Sequence, residues 1–262
     1  MSKEMSLSLK GALADAYRLL TPYSGQYTVD APRYLIMLEY IAGLPNARTK
    51  RILDLGTGIG ILPLALRLAG YHANGIDYFI FPETDNTMFG RTAIDDLKRI
   101  WRSIGLIIDK QDITSSLPEN LYQTTDIVTS DATIEHLKDP KTFLLNCYFL
   151  LASGGHLILS TPNLTTLLKR IRFLVGKSPH WPIAEFFKDG EKFTGHWREY
   201  TQEELSYMCT TVGFEVLQIK TRDVLTPWKR RGFKKNLRAL IARLARLIPS
   251  AQEVHYVLAR KS

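Results

Sequence analysis

The sequence predicts an α/β fold with a mostly parallel sheet. Short apolar runs recur along the chain, each followed by a turn and by apolar residues at helical spacing. The first such unit, residues 51–69, joins its strand to its helix through three glycines. Runs of this kind are typical of parallel strands that are buried on both faces. A chain of 262 residues, 45% of them hydrophobic, is long enough for one large α/β domain with additions or for two small domains.

The glycine turn within residues 51–60 (RILDLGTGIG) narrows the class of ligand. Its spacing is G-x-G-x-G, which differs from the G-x-G-x-x-G of dinucleotide sites, and no Lys-Ser/Thr pair follows as in a P-loop. No basic residue lies between positions 52 and 66 to neutralise a phosphate, whereas Asp54 stands two residues before the first glycine. A carboxylate there suits a positively charged ligand without phosphate, such as S-adenosylmethionine, which carries an ammonium and a sulfonium group.

This stretch resembles motif I of the class I S-adenosylmethionine-dependent methyltransferases. The resemblance implies a Rossmann-like sheet of seven strands, mostly parallel with the last strand antiparallel. It further implies a single methyltransferase domain over residues 1–262. Within it we expect an N-terminal helical cap at 1–45, a cofactor-binding core at 51–163, and two insertions over the active site at 164–200 and 226–250.

Two helices are predicted before the sheet. Residues 6–20 have the spacing of an amphipathic helix, and Asp30 is placed to cap a second helix that has Pro32 in its first turn. In the methyltransferase family, such helices cover the cofactor or substrate side of the sheet.

The second strand, residues 73–77, ends in a carboxylate. Asp77 follows Asp54 by 23 positions, a spacing at which a carboxylate can accept both hydroxyls of a ribose. Tyr78 opens an apolar segment, 78–90, that we expect to pass over the adenine.

A helix over 91–103 and a third strand over 106–108 follow. Asp112 and Ile113 come next, and the resemblance implies that this pair holds the adenine. The carboxylate would bind the exocyclic amine, and the apolar side chain would stack on the ring.

The resemblance to the family is close over residues 126–163. A strand over 126–130 leads into Asp131 and then into Glu135-His136-Leu137, which Asp-Pro follows. The next predicted elements are a helix over 141–152, a Gly-Gly turn at 154–155 and a strand over 156–160 that ends in Thr-Pro-Asn. The order of these motifs is similar to the order found in one branch of the family, which contains small-molecule and glycan methyltransferases. The absence of Asn/Asp-Pro-Pro-Tyr after the fourth strand argues against amino-methylation of DNA bases.

Aromatic residues crowd the first insertion. It contains Gly195–Thr201 (GHWREYT), which resembles a His-x-Arg-Glu-Tyr/Phe-Ser/Thr segment of the same branch. Thr201 and Glu204 have the spacing of a helix capping box. Strands over 215–219 and 253–259 are predicted to complete the sheet.

The net charge of +8 is concentrated in two segments without acidic residues. Residues 226–250 hold eight lysines and arginines, and residues 164–182 hold four, in both cases interleaved with apolar residues at helical spacing. This pattern suits an anionic membrane surface, a nucleic acid or an ordinary solvated helix face. We expect peripheral contact with a membrane and no nucleic acid.

Cysteine usage and hydropathy predict a cytoplasmic protein, with peripheral association at the inner membrane face as an option. We find no secretory signal and no spanning run of about 18 apolar residues. Cys147 and Cys209 lie far apart in helix-like stretches, as expected of two structural thiols in a reducing compartment.

The resemblance, carried over position by position, assigns a set of site residues. The expected cofactor residues are Asp54, Gly56, Thr57, Gly58, Gly60, Asp77, Tyr78, Asp112, Ile113 and Asp131. The candidate catalytic residues are Asp131, His136 and His196, and the candidate substrate residues are Trp197, Arg198 and Tyr200.

Competing interpretations of these residues are structural. A histidine has the pKa best suited to accept a proton from a hydroxyl near neutral pH. However, His136 could simply hold the helix after the fourth strand, and His196 with Arg198 could fix the insertion. A metal site built from Glu135, His136 and Asp131 lacks a further His or Cys cluster in sequence, so no metal is expected.

The sequence therefore predicts an S-adenosylmethionine-dependent O-methyltransferase that acts on a saccharide or a lipid-linked glycan, as part of polysaccharide biosynthesis. Two alternatives remain open. One is methylation of a small aromatic or quinone-like molecule, which the aromatic insertion favours. The other is a catalytically silent relative that binds the cofactor or a partner.

Overall fold

A computed structural model describes residues 3–21, 23–78, 91–224 and 244–262, and its sheet has seven strands. The strands are β1 (Arg51–Leu55), β2 (His72–Asp77), β3 (Ile108–Lys110), β4 (Thr125–Asp131), β5 (Leu151–Pro162), β6 (Phe214–Arg222) and β7 (Val254–Lys261). Their order across the sheet is β3-β2-β1-β4-β5-β7-β6. β7 runs opposite to the other six described strands, so the predicted Rossmann-like topology is confirmed.

Eight α-helices flank the sheet in the described part of the chain. They are α1 (Lys3–Leu19), α2 (Ala31–Ala42), α3 (Ile61–Leu68), α4 (Arg91–Ser103), α5 (Pro140–Leu150), α6 (Leu167–Leu174), α7 (Ile183–Asp189) and α8 (Gln202–Val212). Helices α1 to α4 contribute to one apolar core, and α5 and α8 contribute to a second. The sheet is therefore covered on both faces, as parallel strands require.

The N-terminal helices belong to the main core as well as to the cap. Leu9, Leu13 and Leu20 are buried there, as the amphipathic pattern predicts. Helix α2 begins after Asp30 as expected, although the Asp30 carboxylate pairs with Arg33 and makes no capping hydrogen bond.

Two predicted element boundaries are wrong. The third strand occupies Ile108–Lys110 and not 106–108, because Leu106 packs into the core before pairing begins. The helix expected over 141–152 ends at Leu150, and β5 starts at Leu151 and continues through the predicted Gly-Gly turn. The pairing of β4 with β5 skips from Thr125 and Leu151 to Ile127 and His156, so the glycines form an irregularity within the strand.

The two basic segments differ in what the structure describes. Residues 164–182 include α6, and the segment after it contains α7. Of the segment 226–250, residues 226–243 lie outside the described residues, and most of the predicted helical stripe falls on them. Among the described helices, none is long and apolar enough to cross a membrane.

Candidate active site

The glycine turn between β1 and α3 shapes the floor of the site. Gly56 and Gly58 have φ angles of 70° and 55°, in the left-handed region that favours glycine. A Cβ atom on Gly56 would lie 2.4 Å from the side chain of Thr133, whereas one on Gly58 would meet open space. The Gly58 N–H donates a 2.7 Å hydrogen bond to Asp77 Oδ2, which ties the turn to the end of β2. Bare backbone at Gly58 therefore faces the cavity.

Two predicted cofactor residues lie beneath this turn. A Cβ on Gly60 would lie within 2.9 Å of Trp101 and Ile108 side-chain atoms, so this glycine allows close packing and lines neither cavity described below. Asp54 is buried and accepts a 2.6 Å hydrogen bond from the Thr129 hydroxyl. Burial raises the pKa of Asp54 to about 7. Asp54 also lines neither cavity, so any effect on a ligand acts from below the loop.

The larger of two adjoining cavities, about 690 Å³, lies over the carboxyl ends of β1, β2 and β3. Asp77, Tyr78, Asp112 and Ile113 line it together with the glycine turn, so the structure brings these predicted cofactor residues into one place. The Asp112 carboxylate is held by the Thr114 N–H and hydroxyl, at 2.8 and 2.6 Å.

These residues fit S-adenosylmethionine. Open space above Gly58 leaves room for a ligand against the backbone, and two carboxylates on adjacent strand ends can accept hydroxyl and amine donors. Asp77 and Asp112 would hold the ribose and the adenine amine, and Ile113 would stack on the ring. When bound, the cofactor supplies an electrophilic methyl group on a sulfonium.

The smaller cavity, about 340 Å³, adjoins the first and shares Gly56, Gly58, Ala132 and His136 with it. Its other lining residues come from the N-terminal helices, the end of β4 and the insertion: Tyr27, Asp30, Arg33, Tyr34, Thr57, Ile59, Asp131, Glu135, Pro162 and His196. Residues from three parts of the chain thus surround the space next to the cofactor cavity.

Arg33 is a site residue that sequence reasoning missed. Its Nε donates to Asp131 Oδ2 at 2.8 Å and its Nη1 donates to Asp30 Oδ1 at 3.1 Å. The other Asp131 oxygen accepts from the Ser160 hydroxyl. Both oxygens of Asp131 therefore already accept hydrogen bonds. This geometry favours a structural role, in which Asp131 holds α2 against the sheet, and disfavours the predicted role of a general base. The only signal for Arg33 in sequence was its position three residues after Asp30.

Glu135 is fully buried at the end of β4, in a 3-10 turn over Ile134–His136. Its Oε2 accepts a 2.9 Å hydrogen bond from the Thr161 hydroxyl, whereas its Oε1 has no hydrogen-bond partner in the part of the chain that the structure describes. Burial raises the pKa of this carboxyl. The His136 Nε2 atom is 3.9 Å from Oε1, beyond hydrogen-bond distance.

The structure brings the two predicted catalytic histidines together. The rings of His136 and His196 lie edge to face with centroids 4.9 Å apart. His196 Nδ1 is 2.9 Å from Glu199 Oε1, and Glu199 also pairs with Lys169. Burial lowers the pKa of His196 to about 3, so its imidazole is neutral near pH 7. Glu199 is a second residue whose part in the site was missed, although it lies within the quoted Gly195–Thr201 segment.

Of the three predicted substrate residues, only Trp197 lines either of these two cavities among the described residues. It packs against Phe193 in the wall of the larger cavity. Arg198 is exposed and pairs with Glu204 at the start of α8, 2.5 Å away. Tyr200 is buried in the apolar core. The expectation that Arg198 and Tyr200 contact substrate does not agree with these positions, because the capping box and the core hold both side chains elsewhere.

Comparison with known proteins agrees with this geometry. The family model Methyltransf_23, a methyltransferase domain, matches residues 31–219. Curated relatives include the ubiquinone biosynthesis O-methyltransferase of Histophilus somni, 32% identical over 136 residues, which are 49% of this chain and 52% of that protein. The same enzyme of Pseudomonas putida is 31% identical over 115 residues, 44% of this chain and 45% of that protein. The chain spans about half the length of the curated relatives it matches.

Solved structures share the fold at low identity. An S-adenosylmethionine-dependent methyltransferase from Mesorhizobium loti has a TM-score of 0.56 and 16% identity, covering 89% of this chain and 98% of that one. Phosphoethanolamine N-methyltransferase 2 of Haemonchus contortus, solved with S-adenosylmethionine, has a TM-score of 0.53 and 15% identity, covering 87% of this chain and 52% of that one. Since the family model covers most of the chain and the glycine turn and strand ends form the expected cavity, this chain belongs to the methyltransferase-domain family.

Proposed function

We propose that this chain is an O-methyltransferase that acts on a hydroxyl group of a small, lipid-borne molecule. The observation that carries the proposal is the position of Glu135, His136 and His196 in the smaller cavity, beside the shared glycine turn. A hydroxyl group is the kind of acceptor that can donate a hydrogen bond to such groups and then attack a methyl carbon.

Methyl transfer to a hydroxyl needs alignment more than covalent help from the protein. The acceptor oxygen, the methyl carbon and the sulfur must lie in line, and the hydroxyl proton must leave as the new bond forms. His136 borders both cavities, so an acceptor hydroxyl beside it would face the methyl group. His196 lines the smaller cavity from the insertion, so it would contact the same acceptor hydroxyl from that side.

The acceptor class follows from the walls of the smaller cavity and from the relatives. Tyr27 and Tyr34 line a space of about 340 Å³, a size that suits a single ring. The curated relatives are named ubiquinone biosynthesis O-methyltransferases, which favours the quinone-like aromatic alternative for this chain. A lipid-linked glycan stays as a second candidate, because Asp30 and Asp131 in the same walls are typical partners of sugar hydroxyls.

Exposed apolar side chains on the insertion support an acceptor carried in a membrane. Leu174 and Phe187 are 83% and 84% exposed, and Phe173, Val175 and Ile183 are also largely exposed. Lysines and arginines interleave with them in residues 164–182. A surface with both features suits the interface of an anionic bilayer. The same insertion continues to Phe193, which lines the larger cavity, so the membrane and the active site would meet.

The main test is a transfer assay with methyl-labelled S-adenosylmethionine and a panel of phenols, quinols, lipid-linked sugars and amines. We expect label on a hydroxyl of a lipid-soluble acceptor, and a loss of turnover in His136→Ala and His196→Ala with cofactor affinity retained. His180→Ala, a change at an exposed histidine, is the matched control. Transfer to amines alone, or full turnover in both variants, would contradict the proposal. Cofactor binding without transfer to any acceptor would favour the silent-relative alternative.

Vesicle flotation tests the membrane part separately. We expect binding to vesicles of anionic phospholipid at low salt, and weaker binding after Leu174→Asp or Phe187→Asp. Tyr207→Asp is the control, because Tyr207 is an exposed aromatic residue on α8. Failure of the wild-type chain to float at low salt would remove membrane association and leave the methyl-transfer proposal standing.

A further inference from the structure

Glu135, His136 and His196 form a cluster in which three hydrogen-bond acceptors lie close together. Such a cluster is unusual because acceptors cannot bond to one another. One possible ligand atom from each of the three lies within 4.8 Å of the others. The hydrogen bonds around the cluster show which nitrogen of each histidine ring carries the proton.

The tautomer of His136 follows from its backbone partners. Its Nδ1 lies 2.9 Å from the carbonyl oxygen of Thr194 and 3.2 Å from that of Gly195. A carbonyl oxygen can only accept a hydrogen bond, so Nδ1 carries the proton. The lone pair of the neutral ring is then on Nε2, the atom that lies 3.9 Å from Glu135 Oε1.

The tautomer of His196 follows in the same way from a carboxylate. Its Nδ1 lies 2.9 Å from Glu199 Oε1, and Glu199 also forms an ion pair with Lys169. Nδ1 therefore donates, and the lone pair is again on Nε2. A histidine whose Nδ1–H is held by a carboxylate or a backbone carbonyl, with Nε2 available, is the usual arrangement of a metal-ligating imidazole.

The third member is Glu135, and one of its two carboxylate oxygens accepts no hydrogen bond from the described residues. Its Oε1 is buried with no hydrogen-bond partner among the described residues, although its Oε2 is satisfied by Thr161. A buried carboxylate oxygen without a partner is costly. One acceptor hydroxyl could satisfy only one of the three acceptors, whereas a divalent cation can accept electron pairs from all three at once.

We propose that Glu135, His136 and His196 form a binding site for a divalent first-row transition-metal ion. Two imidazoles and one carboxylate are a common ligand set for such ions when a position is left for water or substrate. Bonds of about 2.0–2.2 Å put two ligand atoms at most about 4.4 Å apart. At tetrahedral angles the separation is about 3.3–3.6 Å. One ligand atom of each residue already lies within 4.8 Å of the other two, so side-chain movements of up to about 1 Å would bring the three residues to bonding distance.

The ion's role rests on the proposed function. A cation in this position would bind the oxygen of the acceptor hydroxyl and lower its pKa, so the proton would leave to solvent before the new O–C bond forms. The two imidazoles would then be ligands, and neither would act as the general base that the sequence predicts. The binding of the ion, however, can be measured without any acceptor.

The experiment is a Co²⁺ titration of protein stripped with EDTA, followed by visible absorption of the bound ion. We expect one ion per chain, and at least a tenfold loss of affinity in Glu135→Gln and in His196→Ala. Glu199→Gln, which changes only the partner of His196, should weaken binding about 10- to 100-fold. His180→Ala should leave it unchanged. Circular dichroism and cofactor titration check that each variant is folded.

The outcomes separate the two proposals. The metal site is overturned if no stoichiometric Co²⁺ binds, or if Glu135→Gln and His196→Ala bind it as the wild type does. If metal-free protein transfers methyl groups at the full rate, the ion's role in the reaction is overturned and the O-methyltransferase proposal stays intact. Conversely, a stoichiometric ion at these ligands combined with transfer only to amines would sustain the site and refute the proposed acceptor class.

Discussion

Replacing Arg33 with methionine should destabilise the chain strongly. The Arg33 and Asp131 side chains are only 11% and 4% exposed, and their atoms lie 2.8 Å apart. Removal of one partner of a buried pair leaves a buried charge without compensation and costs about 3–5 kcal/mol. For a chain of this size, that corresponds to a fall in melting temperature of roughly 6–20 °C. Urea denaturation of Arg33→Met and of the wild type measures the difference.

Two further variants make this prediction specific to burial. Arg51→Met removes an ion pair of similar composition with Asp126, but the side chains there are 59% and 29% exposed. We expect that change to cost under about 1 kcal/mol. In the double variant Arg33→Met/Asp131→Asn the unpaired carboxylate at position 131 is removed, although Asp30 still lacks Arg33. The cost of the double variant should therefore fall below the sum of the single costs by about 1–3 kcal/mol. Additive costs, or similar costs for Arg33→Met and Arg51→Met, would refute the reasoning.

Three other predictions concern the glycine turn and the walls of the site. Gly56→Ala should lower both stability and cofactor affinity, because a Cβ atom has no space there. Gly58→Ala should cost about 1–2 kcal/mol of backbone strain and mainly weaken cofactor binding. Melting curves and cofactor titration measure the two effects. Burial raises the pKa of Asp54 to about 7, whereas the unfolded chain has a pKa of about 4 at this position. The unfolded state therefore loses this proton at a lower pH, so the free energy of unfolding should fall as the pH rises from about 4 to 7. Asp54→Asn should flatten this dependence in urea titrations at several pH values. Trp197→Ala should reduce kcat/KM in the transfer assay, because Trp197 lines the larger of the two described cavities. Arg198→Ala should leave kcat/KM within about twofold, because Arg198 lines neither of them.

The parts of the site that the sequence could predict lie at strand ends. Parallel strands bring their carboxyl ends to one edge of the sheet, so a motif after each strand is enough to place Asp77 and Asp112 in the same cavity. The glycine spacing likewise indicates a left-handed turn, which Gly56 and Gly58 adopt. These inferences need only local pattern and the order of the strands.

The parts that could not be predicted depend on contacts between distant segments. Arg33 and Asp131 are 98 positions apart, and no local pattern indicates that a helix before the sheet reaches the end of β4. His196 joins Glu135 and His136 only because the insertion folds back over β4, where the Trp197 N–H donates to the Glu135 carbonyl at 2.8 Å. The expectation of no metal rested on the lack of a further His or Cys cluster in sequence, and His196 comes close to Glu135 and His136 only in the folded chain.

The charge of the site differs in sign from the charge of the chain. Among the described residues that line the two cavities, seven are acidic and three are basic, whereas the whole chain has a net charge of +8. Acidic walls favour a cationic ligand and disfavour phosphate, while the basic segments favour an anionic surface. The two binding events should therefore respond differently to salt.

Exposed charges are screened over about 8 Å at physiological ionic strength, whereas buried pairs are screened much less. Raising NaCl from about 20 to 300 mM should thus release the chain from anionic vesicles and change the Kd for S-adenosylmethionine by less than about threefold. Flotation and cofactor titration in the same buffers measure both quantities. A large salt dependence of cofactor binding would mean that exposed charges, and not the half-buried strand-end carboxylates, provide most of the attraction for the cofactor.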